Sequence, residues 1–195
     1  KIKKHKNLTK FSLTQIRKKN PEVIGFLCDL GSKPNNFISG LQLKLDPYIL
    51  RIVKFILNTN NLGTMNSSDR LILESNLKYE KKFFQDIHND YDYVHQSKAA
   101  LTASLNLKGK IGEGGINVYL GSHKKKFKVS RDKNKRPQLS KKDLKLLEYN
   151  YEKIFIPHMP GSIIFFHTLL FHCTVQNKSD DLRATQIFRY SDLNK

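Results

Sequence analysis

A histidine and an aspartate one residue apart, His88 and Asp90, stand out in this chain of 195 residues, and His172 follows 82 residues after the aspartate. Two imidazoles and one carboxylate are the ligand set that binds Fe(II) on one face and leaves other positions open. Side chains two residues apart on a strand point to the same side, so His88 and Asp90 could reach one ion. The spacing predicts a metal site that His172 completes from a distant strand. Taken alone, the pair is a weak signal, because a surface histidine beside an aspartate is the common alternative.

A possible anion-binding side chain follows the second histidine. Arg183 lies eleven residues after His172, beyond the polar turn sequence QNKSDD. If His172 ends one strand and Arg183 begins its antiparallel neighbour, the guanidinium comes close to the metal, where it could bind a carboxylate through two hydrogen bonds. Arg189 shares that face of the strand and is the alternative for this role. A salt bridge at the rim of the fold is the alternative without function.

Short runs rich in β-branched and aromatic residues, which are typical of strands, begin at Arg70. They are RLILESNL, ALTASLNL, INVYL, KIFI, SIIFF and RATQIFRY. In ALTASLNL, apolar residues alternate with Thr102, Ser104 and Asn106, which predicts one packed face and one polar face. Many strands without intervening helices favour a mainly β fold with N-terminal helices, built as an antiparallel barrel or jelly roll.

The sequence predicts one domain over residues 1–195, with a helical support region at 1–69 and a jelly-roll core at 70–195. In the support region, one helix is expected to begin near Pro21 and end at Gly31, and another to extend from about Gly40 to Leu57. Both should pack outside the strands. The core contains a basic insertion at 124–153 with one short helix near Lys141 to Tyr149, which either covers a site or is disordered.

The composition is strongly basic, with 35 Lys and Arg against 17 Asp and Glu and a net charge of +18. This balance favours an acidic partner: nucleic acid, an anionic membrane or an anionic small molecule. The excess lies in residues 1–10 and 124–153 rather than in the strands that carry the candidate site. A basic nucleic-acid-binding module without catalysis is therefore the second hypothesis. It is less favoured because no nucleic-acid motif is recognisable and the aromatic residues are not interleaved with the basic runs.

The cysteines and the apolar runs limit the compartment. Two cysteines, Cys28 and Cys173, exclude a disulfide scaffold and a zinc ribbon and favour a reducing, cytoplasmic location. The longest apolar stretch, Ile163 to Phe171, is interrupted by polar residues and is too short to cross a bilayer. We therefore expect no membrane span.

Three longer motifs carry a resemblance to a known family. They are IHNDYDYVHQSKAALTASLNL, GEGGINVYLGSHK and MPGSIIFFHTLLFHCTVQNKSDDLRATQIFRY, which occur in this order between about Leu71 and Tyr190. They resemble the His-x-Asp segment, the glycine-rich turn ending in PGSH, and the PGD…H…R ending of the phytanoyl-CoA dioxygenase-like group of Fe(II)- and 2-oxoglutarate-dependent oxygenases. The ordered set is more specific than any single motif.

The resemblance implies a reaction and a role for particular residues. O₂ and the co-substrate 2-oxoglutarate would be consumed, succinate and CO₂ released, and an unactivated C–H bond of a small molecule hydroxylated. Arg183 would bind the distal carboxylate of 2-oxoglutarate, and Thr102 and Thr174 occupy places that often hydrogen-bond it. The implied catalytic iron ligands are His88, Asp90 and His172.

Some positions depart from the family pattern. Ser104, Leu120 and Ser162 stand where the family has Trp, Pro and Asp, which alters pocket packing and turn geometry rather than the ligands. In a rival register His95 heads the metal segment, which would then lack its carboxylate and resemble the related halogenases. His88 is favoured because it lies 13 residues before Leu101, close to the family interval.

The substrate is expected to be a small metabolite or saccharide, and the lysines of residues 124–153 favour an anionic one. Specificity in such folds lies in loops and flanking elements. Here these are the first 70 residues, Tyr91 to Gln96 and the basic insertion.

Overall fold

The computed structural model describes residues 15, 38–64, 69–74, 86–94, 97–132 and 136–195, so the helix predicted between Pro21 and Gly31 lies outside the described residues. The helices with described bounds are α1 (Ile38–Lys44), α2 (Pro47–Leu57), α3 (Tyr91–Val94) and α4 (Lys141–Asn150). The strands are β1 (Leu62–Thr64), β2 (Arg70–Glu74), β3 (Ala100–Lys108), β4 (Gly115–Tyr119), β5 (Val129–Arg131), β6 (Pro137–Leu139), β7 (Lys153–Pro157), β8 (Ile163–His167), β9 (His172–Val175) and β10 (Arg183–Asp192). No helix in these ranges is long and apolar enough to span a membrane.

The larger sheet is organised around the long strand β10. Along one edge β10 pairs with β3, which in turn pairs with β8. Along its other edge β10 pairs directly with two short strands, with β2 near its beginning and with β1 near its end. All these pairs are antiparallel. Because side chains alternate along β10, its odd-numbered residues from Arg183 to Arg189 share one face of the sheet. The bounds of β10 are thus consistent with the prediction that Arg183 and Arg189 lie on the same face of this strand.

Helix α2 covers the outer face of the larger sheet. Val53 of this helix is fully buried and packs with Leu101 and Ala103 of β3 and with Phe188 and Tyr190 of β10. The apolar half of ALTASLNL therefore faces the helix, as its alternation predicts. The expectation that this helical segment packs outside the strands is confirmed.

The single helix predicted from Gly40 to Leu57 is wrong, because two helices occupy this segment. α1 ends at Lys44, and the carboxylate of Asp46 accepts hydrogen bonds from the backbone N–H groups of Tyr48 and Ile49 at the start of α2. Pro47 is the first residue of the new helix. A proline lacks the N–H that a continuous helix would need and disfavours helical backbone in the residue before it, so the chain restarts there.

A smaller sheet, with strand order β7-β4-β9, packs against the larger one. Val118 of β4 and Phe166 of β8 lie in one apolar cluster together with Leu170. The inner faces of the two sheets thus share a core. Two facing antiparallel sheets form the arrangement expected of a jelly roll.

The basic insertion is more structured than predicted. The helix expected near Lys141 to Tyr149 is confirmed as α4, but β5 and β6 also form an antiparallel hairpin before it. Leu139 and Leu147 are buried against Tyr119 and Phe171. These contacts attach the insertion to the smaller sheet and to the residue that precedes β9.

Candidate metal centre

The structure brings together the three predicted ligands. His88, Asp90 and His172 each contribute one nitrogen or oxygen atom to a group whose members lie within 4.8 Å of one another. All three residues are buried, with 3%, 4% and 6% of their surface exposed. A buried cluster of this composition fits a divalent metal better than it fits a solvated surface pair.

A short backbone pairing joins the two histidines. The N–H of His88 donates to the carbonyl of His172 at 2.9 Å, and the N–H of His172 donates to the carbonyl of His88 at 2.8 Å.

Two details of the predicted strands around these ligands were wrong. His172 begins β9 instead of ending the preceding strand, because β8 ends at His167 and a turn follows. His88 lies in an isolated bridge rather than a full strand, and Asp90 directly precedes α3.

Backbone carbonyls orient both imidazole rings. Nδ1 of His88 lies 2.6 Å from the carbonyl oxygen of Asp86, and Nδ1 of His172 lies 3.0 Å from that of Leu170. A carbonyl oxygen only accepts, so each Nδ1 carries the hydrogen and each Nε2 keeps a lone pair. Metal-binding histidines are typically fixed in this way. The chemistry of the donor set therefore fits a bound metal ion.

The carboxylate of Asp90 is held in its ionised form. Nη2 of Arg189 lies 3.0 Å from its Oδ1, and the hydroxyl of Thr102 donates to its Oδ2. Burial by itself would raise the pKa of Asp90, but the charge of Arg189 together with His172 and His88 lowers it well below the usual range. Burial and the proximity of His172 lower the pKa of His88 to about 3. Both side chains thus have the protonation state that a metal requires.

A cavity of about 40 Å³ lies between the two sheets beside the cluster. His172 and Thr174 of β9 line it together with Arg183 of β10 and Ser104 of β3. The cavity therefore adjoins a candidate metal ligand and contains two of the three residues predicted to bind the co-substrate. The third, Thr102, uses its hydroxyl on Asp90, so its part in co-substrate binding stays a prediction.

Arg183 reaches the cavity by a different route from the one predicted. β9 and β10 are not neighbours, because β9 pairs with β4 in the smaller sheet and β10 belongs to the larger one. The guanidinium lies 2.5 Å from the carboxylate of Glu74 on β2. Glu74 was not predicted as a site residue, although a charged residue at the end of the apolar run RLIL was a visible signal.

The remaining predicted positions have simple surroundings. The hydroxyl of Ser162 donates to the carbonyl of Met159 and accepts from the side-chain amide of Asn106 at 2.9 Å, which closes the turn where the family has Asp. Leu120 is 55% exposed. His95 lies outside the described residues, and the cluster around His88 forms without it.

Several solved structures resemble this fold. The chain is similar to the epimerase SnoN from nogalamycin biosynthesis in complex with Fe³⁺ and α-ketoglutarate (20% identity, TM-score 0.61), covering 77% of this chain and 57% of that one. It is also similar to EctD from S. alaskensis with 2-oxoglutarate and 5-hydroxyectoine (18%, 0.59), covering 80% and 52%. A third similar structure is AviO1 from Streptomyces viridochromogenes (13%, 0.58), covering 84% and 65%. No curated protein matched the sequence.

These similarities confirm the predicted fold class, and the chain spans little more than half the length of SnoN and EctD. The family itself is shown by sequence. The profile described as phytanoyl-CoA dioxygenase (PhyH) matches residues 16–185, which include all three residues of the cluster and Arg183. The chain therefore belongs to the phytanoyl-CoA dioxygenase family.

Proposed function

We propose that the chain is an Fe(II)- and 2-oxoglutarate-dependent dioxygenase that hydroxylates an unactivated C–H bond of a small metabolite or saccharide. The observation that carries the proposal is the buried cluster of His88, Asp90 and His172, in which both imidazoles keep an Nε2 lone pair and His172 lines the adjacent cavity. Membership in the family supports the choice of metal and co-substrate.

In this proposal the metal-binding residues and two side chains that line the cavity each have a chemical role. Fe(II), 2-oxoglutarate and O₂ would supply the oxidising power for C–H cleavage, with release of succinate and CO₂. His88, Asp90 and His172 would hold the metal, and Arg183 would bind the distal carboxylate of the co-substrate. Thr174, which lines the same cavity, would donate a hydrogen bond to it. The three metal-binding side chains are buried, which would limit their contact with bulk water.

A basic turn near the site supports an anionic substrate. The exposed residues Lys124, Lys125 and Lys126 follow Ser122, whose hydroxyl accepts a hydrogen bond from the backbone N–H of Phe171 at 2.9 Å. Phe171 directly precedes His172. The turn is thereby fixed close to the metal ligand, so a substrate approaching the site would meet positive charge.

The first test is spectroscopic. Anaerobic addition of Fe(II) and 2-oxoglutarate to the chain should produce a weak visible charge-transfer band, which is lost in His172→Ala and Asp90→Ala. Asp180→Asn, in the exposed turn before β10, is the control and should keep the band. Absence of the band, with tight and salt-sensitive binding to oligonucleotides, would instead support the nucleic-acid-binding alternative.

The second test identifies the reaction. Succinate formation is measured across candidate metabolites, and the product mass is compared with that of the substrate. Hydroxylation adds one oxygen atom, whereas epimerisation leaves the mass unchanged and oxidative ring closure removes two hydrogens. A band without substrate-dependent succinate formation for any metabolite would indicate metal and co-substrate binding without turnover.

A further inference from the structure

Glu74 and Arg183 form an ion pair inside the cavity. They lie directly opposite each other on the paired strands β2 and β10, with Nη2 of the arginine 2.5 Å from Oε1 of the glutamate. Glu74 is 6% exposed and Arg183 is 5% exposed. An ion pair this deeply buried is weakly screened by water and salt. The carboxylate of Glu74 therefore competes strongly with any other anion that approaches the same guanidinium.

Glu74 occupies one of the two nitrogen atoms of Arg183 that a ligand carboxylate would bind. Nε and Nη2 of an arginine form a fork that can bind both oxygens of a carboxylate. In Arg183, Glu74 binds Nη2, while Nε is buried and has no hydrogen-bond partner among the described residues. Nη1 lies 3.3 Å and 3.5 Å from the carbonyl oxygens of Gly115 and Val175. A ligand that binds the fork with both oxygens must therefore displace Glu74 from Nη2.

The arginine itself is held in place on its other side. A Cβ added at Gly114 would lie 2.6 Å from Nη1 of Arg183, so the backbone there packs directly against the guanidinium. Together with the two carbonyl contacts, this packing leaves Arg183 little room to move away from Glu74. A ligand carboxylate that binds Nη2 therefore has to replace the carboxylate of Glu74 at a guanidinium that stays in place.

We propose that Glu74 is an internal competitor for the guanidinium of Arg183, and that it determines how strongly the chain selects 2-oxo acids by their distal carboxylate. The inference rests on the proposed function, because it assumes that a 2-oxo acid binds beside the metal. Binding of the distal carboxylate releases Glu74 from Arg183, so the new ion pair replaces an old one and the net gain is small. The chain thus binds 2-oxoglutarate and a 2-oxo acid with a neutral end with similar affinity.

The test is a binding measurement without turnover. The full chain is loaded anaerobically with Mn(II), and the dissociation constants of 2-oxoglutarate and 2-oxopentanoate are measured by calorimetry. The two acids have the same number of carbon atoms, but 2-oxopentanoate ends in a methyl group. For the unaltered chain we expect constants within about threefold of each other. In Glu74→Gln, 2-oxoglutarate should bind at least about tenfold more tightly and 2-oxopentanoate as before.

A second substitution assigns the effect to the arginine. In Glu74→Gln combined with Arg183→Met, the gain for 2-oxoglutarate should disappear, because the released guanidinium is no longer present. If Glu74→Gln leaves both affinities unchanged in folded protein, the inference is wrong. Should that variant not fold, the unaltered chain decides alone, since a preference for 2-oxoglutarate above about thirtyfold would contradict competition by Glu74. If neither acid binds the Mn(II)-loaded chain, the proposed function fails and the inference with it.

Discussion

The hydroxyl of Thr102 donates a hydrogen bond to Oδ2 of Asp90, which joins the polar face of β3 to the candidate metal ligand. Thr102 is fully buried and lies opposite Arg189 in the pairing of β3 with β10. Two adjacent strands of the larger sheet therefore place one donor on each oxygen of the carboxylate. Each oxygen keeps a further lone pair that can bind a metal ion.

This contact predicts the effect of Thr102→Val on metal binding. The valine keeps the shape of the side chain but removes the donor that orients Asp90, so we expect the affinity for Mn(II) to fall about tenfold. The measurement is a titration of free Mn(II) by electron paramagnetic resonance. Thr102→Ser retains the hydroxyl and should stay within about threefold of the unaltered chain. Equal losses in both variants would show that packing, not the hydrogen bond, is responsible.

The low pKa of His88 predicts acid sensitivity of the metal-free chain. Its pKa is lowered from 6.5 to about 3 in the folded state by burial and by His172. Between these values the unfolded chain binds a proton that the folded chain does not, so the free energy of unfolding decreases as the pH falls. The slope from this group is at most about 1.4 kcal/mol per pH unit.

The measurement is chemical denaturation between pH 6.5 and pH 4.5, where the contribution from ionised Asp90 is still present. His88→Gln should give a shallower pH dependence than the unaltered chain, by up to one proton. An unchanged slope would mean that His88 is protonated in the folded chain.

Much of the site could be predicted from the sequence because its ligands have a recognisable type and order. His88, Asp90 and His172 come together as expected, and Arg183 and Thr174 line the adjacent cavity. What failed was the local detail. In the run from Ile163 to His172 only His167 and Thr168 interrupt the apolar residues before the ligand, and so short a polar interruption does not by itself indicate the turn that separates β8 from β9.

The partners of the site residues were harder to predict because they depend on strand pairing. Glu74 meets Arg183 only because β2 pairs with β10 in one particular register, and a shift of one residue would move its side chain to the other face. Thr102 was correctly placed on the polar face of β3, but its contact with Asp90 depends on where the segment before α3 crosses the sheet. Single-strand patterns contain no information about either contact.

Gly114 offers a test of how the backbone fixes Arg183. Its φ is +78°, and a Cβ would meet Nη1 of Arg183 at 2.6 Å. Gly114→Ala should therefore push the guanidinium aside and leave Glu74 without its ion pair, so that the glutamate repels the distal carboxylate and 2-oxoglutarate binds the Mn(II)-loaded chain about tenfold more weakly. Gly112 is a matched control because its φ is +77° and nothing lies within 4 Å of its added Cβ.

Both alanine variants strain a left-handed backbone and should lose about 1 kcal/mol of stability or somewhat more. Only Gly114→Ala should change the affinity for 2-oxoglutarate. The comparison separates strain from contact, since a loss of affinity in Gly112→Ala as well would attribute the effect to the loop as a whole.

The basic turn at Lys124 to Lys126 predicts a salt-dependent effect on the substrate identified by the succinate screen. Replacing all three lysines by glutamine should raise the KM for an anionic substrate about three- to tenfold at low ionic strength, with kcat unchanged, because the charges attract the substrate without touching the reacting bond. At high salt the difference should shrink, since exposed charges are screened. The matched control replaces Lys141, Lys142 and Lys145 on α4, which removes the same net charge from another exposed part of the insertion. Equal effects in both triple variants would indicate that the overall charge of +18 attracts the substrate, rather than the lysines of this turn in particular. An unchanged KM at low salt would contradict the proposal that an anionic substrate passes this turn.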